Sequence, residues 1–207
     1  MPITIGIALR YKDDLLDDGA TTVEEHNKII QETGNVWLGK FGVPIISATL
    51  KALSEPGVEA TLILIRSKLA KNDDRPKMFS APFSGARNAR PQSKLIPSYY
   101  RKQRDIDTWF CLTSEIRPLT NAEAKAWVII STGEGLLVSV RRCPRQFFLI
   151  SRKAGLKRCQ KFLAGFMAKM RATSGPTLPQ RRHRDHIVYA EDYHSTLEET
   201  DIVESAW

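Results

Sequence analysis

The chain has 207 residues, 42% hydrophobic, 26% charged and 8% aromatic, which suits one sizeable domain with an appendage and excludes a globally disordered chain. Twelve glycines and eleven prolines exclude collagen-like and low-complexity sequences. No apolar run approaches the roughly 18 residues of a membrane span, and Met1-Pro2-Ile3-Thr4-Ile5 lacks a charged stretch before an apolar one, so the expectation is a cytoplasmic protein without a secretory signal. Three widely spaced cysteines, Cys111, Cys143 and Cys159, fit a reducing compartment better than a disulfide framework.

The formal net charge is +8, but residues 191–207 hold six acidic and no basic side chains. Without that tail the balance is 31 basic to 17 acidic residues, a net of +14. Residues 141–184 carry 13 Lys or Arg and no Asp or Glu. So one-sided a block points to a polyanionic partner, nucleic acid first and an acidic membrane surface second. A solvated basic face with no partner is the bland alternative.

In chain order, Ile3 to Leu9 alternates apolar side chains and predicts a strand, followed by a polar turn holding Asp13, Asp14, Asp17 and Asp18. Thr22 and Glu25 have the spacing of a capping box, which opens a helix that turns Ile29 and Ile30 inward and stops at Thr33-Gly34. Asn35 to Pro44 reads as a short strand and a loop, with Trp37 in the loop. Ser47 caps a helix carrying Leu50 and Leu53 that ends at Pro56-Gly57. Glu59 to Ser67 is a continuous β-type run, expected as a buried central strand. Lys68 to Pro97 reads as a long loop with one short strand around Met78 to Ala86. Strands follow at Thr108 to Thr113, Ala126 to Ile130, Leu136 to Val140 and Gln146 to Ile150. This order predicts an α+β domain on a curved mixed sheet or small β-barrel flanked by helices, spanning residues 3–153. Residues 154–173 repeat Leu156, Cys159, Phe162, Leu163, Phe166, Met167 and Met170 at helical spacing, with Lys and Arg on the other faces, and predict a basic amphipathic helix. Residues 174–207 read as a partly flexible tail, basic at Arg181 to Arg184 and acidic at its end.

Catalytic signatures are mostly missing. There is no phosphate-binding Gly-x-x-x-x-Gly-Lys-Ser/Thr loop, no Gly-x-Gly-x-x-Gly, no Gly-x-Ser-x-Gly and no His-Glu-x-x-His. His183, His186 and His194 match no zinc spacing, and the arginines beside them repel a cation, so neither metal nor cofactor is expected. Cys143 stands among Arg141, Arg142 and Arg145 without a nearby histidine, and reads as structural. Aromatic residues beside basic ones are the better lead. Trp37 precedes Lys40, and Tyr99-Tyr100 precede Arg101 and Arg104. A ring held on a loop offers a π face to a nucleobase, worth roughly 1–3 kcal/mol per stacked base, and two facing rings can sandwich a base lifted out of a helix. Equally, such aromatics can simply cap the core.

Val36-Trp37, the loop and the helix after it resemble the segment that EVE and YTH domains, of the PUA-like superfamily, place after their first strand and helix. The likeness continues through Thr61 to Arg66, Phe83-Ser84-Gly85-Ala86, Pro97-Ser98-Tyr99-Tyr100 with Trp109-Phe110-Cys111-Leu112, Trp127 to Gly135 and Leu137-Val138-Ser139-Val140, spanning about residues 3 to 150 in order and character rather than by a sharp signature. The resemblance implies a non-catalytic module that reads one flipped, often modified, DNA or RNA base in an aromatic cage. Trp37 matches the first cage tryptophan and Leu38 the neighbour whose backbone touches the base. The second wall falls to Tyr99, Tyr100 or Trp109, where the family often has tryptophan. Lys40, Arg101, Arg104, Arg141 and Arg142 are then the expected phosphate contacts, which position a strand without reading its sequence. Similar prokaryotic domains recognise modified DNA for restriction systems, which implies an effector on a separate chain.

Two other classes stay open. Some PUA-like domains hydrolyse modified nucleosides with a Lys, a Glu and a Thr, for which Lys40, Glu115 and Thr108 are candidates. An interaction protein docking through its amphipathic helix is the other. The acidic tail, by its charge, is a candidate to fold back on the basic surface as a mimic of nucleic acid.

Overall fold

Strand β1 (Ile3–Tyr11) and strand β3 (Val58–Arg66) run parallel, nine residues against nine, at the middle of the sheet. Each holds a continuous apolar run, Ile7 to Leu9 in β1 and Leu62 to Ile65 in β3, buried throughout as a strand covered on both faces must be. Ile5, Ile7, Leu9, Leu62 and Leu64 face one core, and Ala8, Ile63 and Ile65 face a second on the opposite side. In the computed structural model the described residues are 2–11, 21–42, 44–66, 77–142 and 147–173. Met1–Thr173 form one compact unit, and the predicted tail, with Arg181 to Arg184 and its histidines, lies outside the described residues, as do the aspartates 13–18 and Cys143.

The chain continues from β1 to α1 (Thr22–Thr33), β2 (Val36–Phe41), α2 (Ser47–Leu53) and β3, then β4 (Met78–Arg87). Two short 3-10 turns, Ser93–Leu95 and Ser98–Lys102, lead to β5 (Ile106–Leu112), β6 (Arg117–Pro118), α3 (Asn121–Lys125) and β7 (Trp127–Ile129). Last come α4 (Leu136–Arg142), β8 (Phe147–Arg152), a 3-10 turn at Lys153–Gly155 and α5 (Leu156–Thr173). The strands form one open eight-stranded sheet in the order β2-β5-β4-β3-β1-β8-β7, with β6 paired to β4, and every pairing except β1 with β3 is antiparallel. The sheet curls strongly: Lys40 Nζ on β2 lies 5.2 Å from the centre of the Phe147 ring on β8, although four strands separate the two in the order. Helices α1, α2 and α5 close the first core through Val23, Ile30, Leu50, Leu53 and Cys159, and α3 and α4 close the second through Ala124, Leu136 and Val140.

The mixed α+β prediction therefore agrees with the architecture, and five local expectations are corrected. Ser47 does not cap α2 but is its first residue, the N-cap being Ile46 with no side-chain bond. The capping box is Thr21 with Glu24: Thr21 Oγ1 accepts from the Glu24 amide and the Glu24 carboxylate accepts from the Thr21 amide. Thr21-Thr22-Val23-Glu24-Glu25 satisfies the motif in two registers, and burial of Thr22, Val23, His26 and Ile30 selects the earlier one. Trp37 is not in a loop but is the second residue of β2, paired along its length with β5. The short strand near Met78 is ten residues long, with a bulge between Phe83 and Gly85 that lets its first half pair with β3 and its second with β5. Leu136 to Val140 is helical. Leu136, Ser139 and Val140 are buried at helical spacing, and the Ser139 hydroxyl donates to Glu134 at 2.6 Å, so the β-branched valines are overruled by packing.

Candidate nucleic-acid interface

Along β2 the side chains alternate, as a pleated strand requires. Val36 and Leu38 enter the first core, whereas Trp37 and Phe41 lie on the opposite face, packed against a separate cluster of Ile96, Tyr100, Ile106 and Trp109 that Tyr99 also joins. Four of the five predicted pocket residues, Trp37, Tyr99, Tyr100 and Trp109, thus meet in one place, and Leu38 points away on the other side of the strand. Within the cluster, Trp109 (1% exposed) and Tyr100 (3%) are interior side chains, while Trp37 and Tyr99 are half-buried and reach the surface.

Gly39 makes the cluster possible. It lies opposite Trp109 in the β2–β5 register, and a Cβ there would come within 2.8 Å of Ile106 Cγ2 and 3.2 Å of Trp109 Cζ3. The Tyr100 hydroxyl donates to the Gly39 carbonyl at 3.3 Å. Burial, opposed by the bonds to Tyr99 and Gly39, pushes the Tyr100 phenol up to about 12, so it remains a neutral donor. Rings pack around it: Tyr99 at 4.4 Å, Trp109 edge-on at 5.5 Å, His26 edge-on at 5.8 Å and Phe41 at 6.1 Å between centroids. Tyr99 has its phenol shifted further up, mainly by burial and then by Tyr100.

His26, on α1, is fully buried beside both tyrosines. Its Nδ1 lies 2.6 Å from the Thr22 carbonyl, which can only accept, so Nδ1 carries the proton and Nε2 is left as an acceptor with no protein partner. Burial drives its pKa down to about 4.

Two arginines that the sequence reading passed over complete the arrangement. Arg90 donates to the carbonyls of Tyr100 (2.7 Å), Arg101 (3.1 Å) and Gln103 (2.9 Å), and its guanidinium lies 5.8 Å from the Trp109 ring centre. It pins the turn that carries Tyr99. Arg87, at the end of β4, stacks its exposed guanidinium on Trp37 at 4.4 Å. The group facing Trp37 is therefore a cation and not a second ring. Both arginines fall in the stretch that composition marks mainly as loop, where nothing in the spacing links Arg87 to Trp37, 50 positions earlier, or Arg90 to Trp109, 19 positions later.

The predicted phosphate contacts are dispersed. Arg101 and Arg104 are exposed at the tyrosine-bearing turn. Lys40 is buried: it donates to the Phe41 carbonyl at 3.2 Å, and burial lowers its pKa against the opposing pull of Asp107. Arg141 and Arg142 end α4, which packs in the second core, and Arg142 pairs with Glu134 at 3.2 Å. Lys40 and Thr108 are cross-strand neighbours, but the Thr108 hydroxyl donates to Asn88 and accepts from the Ile45 amide. Glu115 lies beyond the far end of β5, exposed and bonded to Gln31, so a Lys–Thr–Glu triad is not assembled. Among the described residues no group of three or more His, Cys, Asp or Glu is placed to hold a metal ion, and no helix is long and apolar enough to cross a membrane. On α5, Leu156, Cys159, Phe162 and Leu163 pack on the first core, which occupies much of the face a docking helix would need.

A family model described as Pua-like matches residues 7–133, from within β1 to the turn after β7, and so takes in the whole aromatic cluster with Arg87 and Arg90. No curated protein and no solved structure matches the chain.

Proposed function

The chain belongs to the Pua-like family, and from that premise we propose that it is a non-catalytic nucleic-acid-binding module that holds one unpaired or flipped base against Trp37. One observation carries the reading. Trp37 is a partly exposed indole on a paired strand, packed in one cluster with Tyr99, Tyr100 and Trp109 and faced by Arg87, while Arg90 lies beside Trp109 and Arg101 and Arg104 are exposed at the turn that carries Tyr99. A rigid π platform amid cations suits a base attached to a phosphate backbone. In this reading Trp37 and Tyr99 meet the base, Tyr100 and Trp109 support them, the Leu38 backbone borders the site, and Arg101 and Arg104 take phosphates. The resemblance to EVE and YTH domains favours a modified base, with any enzymatic consequence left to an effector on another chain.

The test is fluorescence anisotropy with labelled DNA and RNA oligonucleotides, with and without a methylated base. Trp37→Ala is expected to weaken binding to the preferred oligonucleotide by roughly tenfold or more, the value of one stacked base. The weaker, salt-sensitive remainder should persist. Equal binding of every oligonucleotide by both proteins would remove the pocket from consideration.

A further inference from the structure

Arg87 carries the reading further, and the following rests on the assignment of Trp37 as the base platform. We propose that Arg87 is the second wall of the site and that, through its charge, the site selects bases that are neutral and rejects bases that carry a positive charge.

The guanidinium carbon of Arg87 already sits over the indole, 4.4 Å from its centre. Among the described residues no carboxylate pairs with it, and its position at the end of β4 leaves it exposed. A base inserted between two planes needs about 3.5 Å of contact distance on each face. The guanidinium then lifts by about 3 Å, a movement within reach of a long side chain held by no ion pair. The base would meet the negative face of the indole on one side and a planar cation on the other. A neutral base has its own π face to offer that cation. A cationic base has the reverse: Arg87 repels it, and Arg90, 5.8 Å from the adjoining Trp109 ring, adds to the positive field. Two carboxylates act on this region, Glu25 on Tyr99, whose ionisation it opposes, and Asp107 on Lys40, and among the described residues neither is bridged to Arg87 or Arg90. Two tryptophan walls would behave in the opposite sense, since each attracts a cation.

Isomeric methylated adenines separate charge from size. N6-methyladenine is neutral at pH 7, whereas N1-methyladenine has the same heavy atoms but holds one more proton and is a cation. Short single-stranded DNA and RNA oligonucleotides carrying adenine, N6-methyladenine or N1-methyladenine at one central position are titrated with the wild-type chain, Arg87→Ala, Arg87→Lys and Trp37→Ala. The wild type is expected to bind both neutral oligonucleotides at least about fivefold more tightly than the cationic one. Arg87→Ala should weaken the neutral oligonucleotides by about three- to tenfold and abolish the discrimination. Arg87→Lys should keep the discrimination while recovering only part of the affinity, because an ammonium repels the cation but lacks the planar face. Tighter binding of all three oligonucleotides by Arg87→Ala would show Arg87 to be a plug and overturn the proposal. So would equal or preferred binding of N1-methyladenine by the wild type. In either case a loss of binding in Trp37→Ala leaves the platform itself standing, and unchanged binding in Trp37→Ala brings down both readings.

Discussion

At the scale of single residues, the cluster beneath Trp37 depends on groups that tolerate no change of size or charge. Gly39→Ala would drive a methyl into Ile106 and Trp109 on the opposite strand, and overpacking of this kind costs about 1–3 kcal/mol. A matching fall in the urea midpoint is expected, together with altered near-ultraviolet dichroism as Trp109 and Tyr100 shift. His26 gives the fold a pH dependence. Its pKa falls from 6.5 to about 4 on folding, so the unfolded chain binds a proton that the buried ring refuses. The stability held above pH 6.5 is lost as the pH drops toward 4, by about 3 kcal/mol in all. His26→Phe should flatten the urea midpoint over that window relative to wild type, and an identical slope in both proteins would exclude His26 as its source. Trp37 could be singled out from its sequence neighbours. Arg87 could not, because its meeting with Trp37 is made by two strands that both pair with β5.

Local elements show where sequence signals decide and where packing does. Gly34, at φ 81°, ends α1 where the Thr-Gly pair predicts, because a left-handed residue closes a helix at little cost only without a Cβ. The other end of α1 is ambiguous in sequence and unambiguous in the fold, so Thr21→Ala should cost about 1 kcal/mol through loss of the cap. Thr22→Ser, which keeps the buried hydroxyl, should cost less, and thermal unfolding of the two variants separates them. The turn carrying Tyr99 is tied from outside by Arg90 and from inside by Tyr100. Removing Arg90 takes its donors from three carbonyls, of which that of Tyr100 keeps the Gln103 amide, so Arg90→Ala should speed amide exchange across residues 98–104 more than in β1 or β3, and weaken oligonucleotide binding without touching a base. Leu136 to Val140 illustrates the converse error: β-branched composition suggests a strand, but burial at positions 136, 139 and 140 and the bond from Ser139 to Glu134 belong to a helix.

For the whole molecule, the distribution of positive charge matters more than its total. Arg101 and Arg104 flank the aromatic cluster, whereas Arg141 and Arg142 end a helix packed in the other core. If the base sits on Trp37, Arg101→Ala with Arg104→Ala should lower the slope of log affinity against log salt by about 1.5, at about 0.7–0.9 per phosphate contact. Arg141→Ala with Arg142→Ala should lower it less, and the reverse order would relocate the backbone path to α4. The amino-acid sequence by itself determined the α+β class, the buried central strand from Glu59 and a positively charged chain with aromatic residues beside its cations. These follow from local periodicity and composition, which act within a few residues. Only the tertiary structure decided which aromatics are interior and which reach solvent, that Gly39 makes room for Trp109, and that Arg87 faces Trp37. Those relations arise from strand order and register, set by the burial of side chains far apart in the chain, and no local pattern records them.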